Sequence, residues 1–218
     1  MKEQSAILAI IEELKVLYPE PKCSLPFNPE KPYELLFAVR LAAQCTDARV
    51  NLVTPVLYER FPTLRTLAEA SEDEVGEIIH STGFWRAKAR DIVAASRMLI
   101  TEFGGTVPDN MEDLLHLPGV GRKTANLILG DVYGKEGYVC DTHCMRITGL
   151  LGITDGSRDP LKVEHQLRAC IPAEESNDFC HRMVLHGRAV CVARRPDCEN
   201  CTLRLWCDHG STSGKTSE

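Results

Sequence analysis

The sequence predicts an all-α protein, and three observations predict it. Apolar residues recur at intervals of three and four along most of the chain, the spacing that lays an apolar stripe along a helix. Glycines and prolines fall between those stretches, where helices end and begin. No stretch alternates apolar and polar residues for long enough to make a convincing strand.

Each element follows from local chemistry. Residues 5–17 place Ile7, Leu8, Ile11, Leu14 and Leu17 on one face, and the prolines of YPEPK end that helix. Tyr33 to Cys45 reads as a second helix with Leu36, Val39 and Ala43 inward. A third starts near Asp47, and Pro55 is expected to kink or split it. Ser71 with Glu74 forms a capping box ahead of Val75, Ile78 and Ile79, and Gly83 is a natural stop. Ala89, Ile92, Val93 and Ser96 trace the next helix, which Gly104 and Gly105 terminate. Asn110 caps a short helix containing Leu114 and Leu115, and Ala125, Ile128, Leu129 and Val132 recur at i, i+3, i+4 and i+7. Asp141, Asp159-Pro160 and Asn177 read as further helix starts.

The 218 residues can hold one large or two small domains, and 44% hydrophobic with 26% charged residues is a globular mix, neither disordered nor fibrous. The longest apolar runs are far short of a membrane span, and MKEQSAILAIIEEL carries Glu3, Glu12 and Glu13 where a signal peptide would be free of acids. A soluble cytoplasmic protein is expected. Of ten cysteines, Cys23, Cys45, Cys140, Cys144, Cys170 and Cys180 stand singly and read as reduced thiols. The net charge of −6 argues weakly against a nucleic-acid partner, because the distribution of charge matters more than its sum.

Chemistry concentrates in two places. The stretch LHLPGVGRKTANLILG puts two cations, Arg122 and Lys123, where a helix begins, although that end of a helix already carries positive partial charge. Gly119 and Gly121 permit a tight turn whose N–H groups, at a helix N-terminus, bind anions and phosphate above all. A plain αα-hairpin has the same spacing. A lysine desolvated beside positive partial charge is more readily neutral, and a neutral amine attacks electrophilic carbon to form a Schiff base. Near the C-terminus, Cys191, Cys198, Cys201 and Cys207 are spaced Cys-x6-Cys-x2-Cys-x5-Cys, a set of thiolates for tetrahedral zinc or an iron–sulfur cluster. Arg194 and Arg195 lie between the first two of them, and with Arg182, Arg188 and Arg204 make a basic segment able to hold a phosphate backbone. Each is otherwise an ordinary surface charge.

LPGVGRKTAN followed by VCDTHCMRI resembles the helix-hairpin-helix DNA glycosylases, specifically the endonuclease III family, over roughly residues 20–210. The resemblance implies that Gly119, Val120 and Gly121 grip phosphate, that Lys123 is the Schiff-base lysine and that Asp141 is the catalytic aspartate. Without the family Asp141 is simply a helix cap, and the two roles are compatible. The cysteine spacing resembles the family's [4Fe–4S] signature. LAAQCTD is similar to the segment whose glutamine fills the gap left by an extruded base, which singles out Gln44; the alternative is a polar residue at a helix end bonded to nearby backbone. STGFWRAKA resembles the loop that wedges an apolar side chain into the duplex. Phe84 stands there in place of the leucine that members often carry, and an aromatic also wedges between base steps. The alternative is a hydrophobic staple on the following helix, a role that suits Trp85.

The fold so implied has a six-helix barrel domain with the hairpin at residues 25–135, and an iron–sulfur cluster domain of residues 1–24 with 136–210. Lys123 and Asp141 would face each other across the DNA groove between them, and residues 211–218 would form a disordered tail. The function implied is a bifunctional DNA glycosylase/AP lyase of base excision repair that excises oxidised pyrimidines and cleaves abasic sites by β-elimination. Its partner would be double-stranded DNA carrying a damaged base or abasic site. The protein would act as a monomer away from any membrane, in the cytoplasm and on the nucleoid if bacterial. Adenine-mismatch glycosylases share the hairpin, aspartate and cluster spacing but typically lack the lysine. A non-catalytic hairpin protein that binds DNA, or a zinc-stabilised module of unrelated function, would share parts of the same pattern.

Overall fold

The computed structural model describes residues 2–212. Among them are helices and no strand: α1 (Gln4–Leu17), α2 (Pro32–Ala42), α3 (Asp47–Arg60), α4 (Leu64–Glu69), α5 (Glu72–Ile79), α6 (Trp85–Phe103), α7 (Met111–His116), α8 (Arg122–Asp131), α9 (Thr142–Leu151), α10 (Pro160–Arg168), α11 (Ser176–Ala189) and α12 (Asp208–Thr212). The chain divides into a middle unit, residues 23–134, and a terminal unit, residues 1–22 with 135–218.

In the middle unit α6 is the axis of packing. Its Ala89, Ile92, Val93, Ala95, Ser96 and Leu99 are buried at the spacing of one helical face, against α2, α4 and α5. α2 buries Leu35, Leu36, Phe37, Ala38 and Leu41, too many for one stripe, and so runs through the core. Side chains of this size each contribute about 1.5–3 kcal/mol when fully buried.

Helix ends follow local hydrogen bonding. Ser71 Oγ accepts from the Glu74 N–H at 3.2 Å while the Glu74 carboxylate accepts from the Ser71 N–H at 3.0 Å. Asn110 and Asp159 cap α7 and α10 as their side chains predict, and Gly104 closes α6 at φ +61°.

Several expectations need correction. α2 ends at Ala42 rather than Cys45: the chain leaves the helical path at Ala43, with ψ 113°, and Gln44 follows at φ +54°. Pro55 neither splits α3 nor ends it. Its ring is exposed, and the burial of Val50, Val53 and Leu57 on the opposite side outweighs the roughly 3 kcal/mol that an interior proline costs. α4, with its Thr63–Thr66 capping box, has no counterpart among the helices that apolar periodicity predicts. Asn177 sits in the first turn of α11, not at its cap. Trp85 does not staple onto α6; its ring lies on α5, where a Cβ on Gly76 would sit 2.6 Å from it. Of the expected tail 211–218, Ser211 and Thr212 belong to α12, and residues 213–218 lie outside the described residues.

The terminal unit packs α1, through Ile7, Ile10, Ile11 and Leu14, onto α11 and the 3-10 turn Thr202–Trp206. α9 approaches α11 at Gly187, where a Cβ would stand 2.3 Å from His143 Nδ1 and 3.0 Å from Ile147 Cδ1. Gly187→Ala is expected to destabilise the protein by about 1–3 kcal/mol through overpacking. Denaturant unfolding checks this, and an unchanged midpoint would contradict the close approach.

Candidate active site and metal centre

The hairpin is built by α7, the loop 117–121 and α8. Asn110 Oδ1 accepts from the Asp113 N–H at 3.0 Å to start α7, and the Val120 N–H donates to the Leu117 carbonyl at 3.1 Å to turn the loop. Gly119 takes φ +76°, a conformation that costs other residues free energy. It is also pressed onto an ion pair: a Cβ there would lie 2.7 Å from Arg40 Nε and 2.9 Å from Asp91 Cβ. Arg40 on α2 donates to Asp91 Oδ2 on α6 through Nε at 2.9 Å and a terminal nitrogen at 2.7 Å. The hairpin thus rests on the two helices that form the core of the unit.

Gly121 is the cap position of α8 and supplies no side chain, so the N–H groups of the first turn stay open. A Cβ on Gly121 would touch nothing. The first turn holds no acid. Val120 is half-buried, whereas Gly119 and Gly121 are exposed. Open backbone N–H groups at a helix start are the kind of group that can hold an anion.

Lys123, the second residue of α8, is exposed and makes no hydrogen bond or ion pair among the described residues. The desolvation expected for it is absent, because the second residue of this helix projects outward. Asp141 caps α9, its Oδ1 accepting from the Cys144 N–H at 2.7 Å. Lys123 belongs to the middle unit and Asp141 to the terminal unit.

Gln44 and Phe84 share a property that no sequence pattern indicated. Among the described residues they are the non-glycine positions with positive φ, +54° and +48°. Such backbone costs on the order of 1–3 kcal/mol per residue and persists where the surroundings dictate it. Both side chains are exposed, Phe84 to 68%. Gln44 forms no side-chain hydrogen bond among the described residues, which removes the reading of it as a residue tied to local backbone.

Cys191, Cys198, Cys201 and Cys207 all line one cavity, together with apolar side chains such as Ile147, Leu151 and Leu203 and with the polar His186, Asp197 and Arg204. N–H groups point at the sulfurs: Arg146 donates to Cys191 Sγ at 3.4 Å, and the Gly210 N–H to Cys207 Sγ at 3.4 Å. His186 Nε2 lies 3.6 Å from Cys201 Sγ. Burial pushes the Cys191 and Cys201 thiols up, while the Arg146 guanidinium at Cys191 and the Leu203 N–H at Cys201 oppose part of that push. Among the described residues no group of three or more His, Cys, Asp or Glu converges as ligands of a single metal ion do. The four cysteines nonetheless line the same cavity.

Arg194 and Arg195 are exposed and carry no ion pair among the described residues. Arg204 is exposed as well. Arg182 is not part of that basic surface, for it is buried against Glu175 at 3.5 Å and Asp178 at 3.2 Å, and its Nε donates to the Tyr18 carbonyl. Sequence reasoning missed Arg40, Asp91, Arg146 and His186. The Asp178–Arg182 pair, four residues apart on one helix, was the available signal against an exposed Arg182.

The hairpin, the cysteine cavity and the all-α fold define a helix-hairpin-helix DNA-repair protein. Residues 37–173 match the model of the HhH-GPD superfamily base excision DNA repair protein. The chain is 46% identical to endonuclease III of Synechocystis sp. over 92% of its own length and 90% of that protein's. It is 36% identical to endonuclease III of Escherichia coli K12, over 93% and 94% of the two chains. The structure of a non-covalent endonuclease III–DNA complex superposes with a TM-score of 0.91 at 37% identity, covering 99% of this chain and all of that one, and a trapped endonuclease III–DNA covalent intermediate superposes equally well. The chain belongs to the endonuclease III family. It is therefore a base excision repair enzyme, a DNA glycosylase and AP lyase, and neither a non-catalytic hairpin protein nor an unrelated zinc module.

Gly119 and Gly121 separate support from contact. Gly119→Ala is expected to cost about 1–3 kcal/mol in stability, because the methyl meets Arg40 and Asp91. Gly121→Ala, with open space at φ −103°, is expected to stay within about 0.5 kcal/mol of wild type yet weaken duplex binding. Denaturant unfolding and a binding titration check the pair, and equal affinity for Gly121→Ala and wild type would place the phosphate elsewhere.

Proposed function

We propose that this enzyme excises oxidised pyrimidines from duplex DNA and cuts the strand at the resulting abasic site by β-elimination, with Lys123 as nucleophile and Asp141 as the carboxylate that stabilises the reacting sugar. One observation carries the reading: an exposed, unpaired lysine on the first turn of a helix whose N-terminus is left open for phosphate. The trapped covalent complex formed by a relative supports a covalent route.

The chemistry begins with extrusion of the damaged nucleotide, at a cost of a few kcal/mol. Phe84 would wedge the stack apart and Gln44 would occupy the vacated space, both from exposed positions on left-handed backbone. Phosphates on either side would bind the N–H groups around Gly119, Val120 and Gly121, with Arg194 and Arg195 adding charge-assisted contacts. Loss of the base builds positive charge on the sugar, which the Asp141 carboxylate stabilises while the Cys144 N–H holds one of its oxygens. Once deprotonated, the amine of Lys123 bonds to C1′ as the base leaves with its electron pair, and the proton shed by the nitrogen goes to the departing base. The nitrogen lone pair then breaks the C1′–O4′ bond, O4′ takes a proton from water, and the resulting iminium acidifies the C2′ hydrogen. Loss of that proton expels the 3′ phosphate, and water then releases Lys123.

Cys191, Cys198, Cys201 and Cys207 would hold a [4Fe–4S] cluster, whose four iron–sulfur bonds would tie residues 191–207 into a fixed loop presenting Arg194 and Arg195. Monomeric action in the cytoplasm, on the nucleoid in a bacterium, completes the proposal; among the described residues no helix is long and apolar enough to cross a membrane.

Two variants test the roles. Lys123→Gln is expected to keep its fold and duplex affinity but to leave abasic DNA uncut, and nicking at the wild-type rate would refute the assignment. Asp141→Asn preserves the cap, since Asn caps about as well as Asp. Its base excision is expected to fall by ~10²–10³, the effect of removing one preorganised electrostatic group. Anaerobically purified protein is expected to contain about four irons per chain with broad visible absorbance. Stoichiometric zinc without iron would contradict the cluster, and Cys198→Ala is expected to lose the metal.

A further inference from the structure

Lys88 is buried to 1% exposure on the core face of α6, and among the described residues no carboxylate pairs with it. Its Nζ donates instead to two carbonyls, Leu41 at 2.7 Å and Thr82 at 2.8 Å. Both acceptors are at helix C-termini. Leu41 lies in the last turn of α2, and Thr82 is the final residue of the 3-10 turn His80–Thr82. Helix C-termini carry orphan carbonyls and negative partial charge, so one ammonium satisfies both ends at once. Three residues beyond Leu41 stands Gln44, and two beyond Thr82 stands Phe84, the pair with left-handed backbone. The sites of strain are therefore the two chain segments that leave this shared cation.

We propose that Lys88 is a positioning residue for damage probing: by bonding the Leu41 and Thr82 carbonyls, it fixes the Gln44 and Phe84 loops relative to each other so that wedge and gap-filler enter the duplex together. The cation substitutes for a covalent tie between loops whose probing residues, Gln44 and Phe84, are 40 residues apart in the chain. Burial lowers the proton affinity of Lys88, and the two carbonyl dipoles oppose that effect. The proposal rests on the reading of Gln44 and Phe84 as probes, and the experiment separates the two.

Lys88→Met keeps the apolar stem and removes the donors, while Lys88→Gln keeps one donor. Excision of thymine glycol from a duplex is measured alongside borohydride trapping on a single-stranded abasic oligonucleotide, which has no stack to open and no partner base to replace. Lys88→Met is expected to lose about tenfold or more in duplex excision, the scale of one hydrogen bond to a charge, with trapping on the single strand within about twofold of wild type. Lys88→Gln is expected to fall between, and it carries the test should Lys88→Met not fold. In a Gln44→Ala/Phe84→Ala background the Lys88 substitution is expected to add less than about twofold, because the residues it acts through are gone. Equal losses on duplex and single strand, or a full additive loss in that background, would overturn the proposal alone. Undiminished duplex excision by Gln44→Ala/Phe84→Ala would overturn the probe reading and this proposal with it.

Discussion

The open N-terminus of α8 is the constraint from which the rest of the middle unit follows. A helix start without an acid or a side-chain cap forgoes roughly 1 kcal/mol of stabilisation, and a lysine placed there adds repulsion from the helix dipole. Such a start persists only where something else determines it. Here that is the seating of Gly119 on the Arg40–Asp91 pair, which joins α2 to α6. The pair is partly buried, with side chains 20% and 12% exposed, so its value lies in geometry more than in net energy. The result is a helix start with open N–H groups beside an exposed amine.

The same logic governs the loops that carry Gln44 and Phe84. Left-handed backbone at Gln44 and Phe84 is unfavourable in isolation, yet each directs a side chain into solvent where a core residue or a capping hydroxyl would be more stable. Unfavourable local choices that leave polar or apolar groups exposed mark positions kept for contact rather than for folding. The terminal unit treats its thiols in a comparable way. Burial of Cys191 and Cys201 in their shared cavity works against ionisation, and Arg146 donates to Cys191 Sγ and the Gly210 N–H to Cys207 Sγ.

What was legible in the sequence was short-range. The caps at Ser71, Asn110, Asp141 and Asp159 depend on atoms within three residues of one another, and residue type decides them. The hairpin and the cysteine run were legible for the same reason. The fate of Pro55 and the end of α2 were not, since each is decided by packing from distant segments: α3 continues because its opposite face is buried, and Gln44 turns within a loop whose geometry the rest of the unit sets. α4 escaped notice because six residues carry too little periodicity. Lys88 was in principle visible as a cation in phase with Ile92 and Ala95 on the apolar stripe of α6, but its partners are carbonyls, and carbonyls carry no residue signature. Exposure of Lys123 was likewise a property of helix phase that composition does not encode.

The most direct test of the account is the site of covalent attachment to DNA. Borohydride added during reaction with an abasic duplex reduces an iminium to a stable amine, and peptide mapping of the adduct then identifies the nitrogen. The account predicts attachment at Lys123. An adduct at the N-terminal amine or at another lysine, or no adduct at all while strands are still cut, would contradict it.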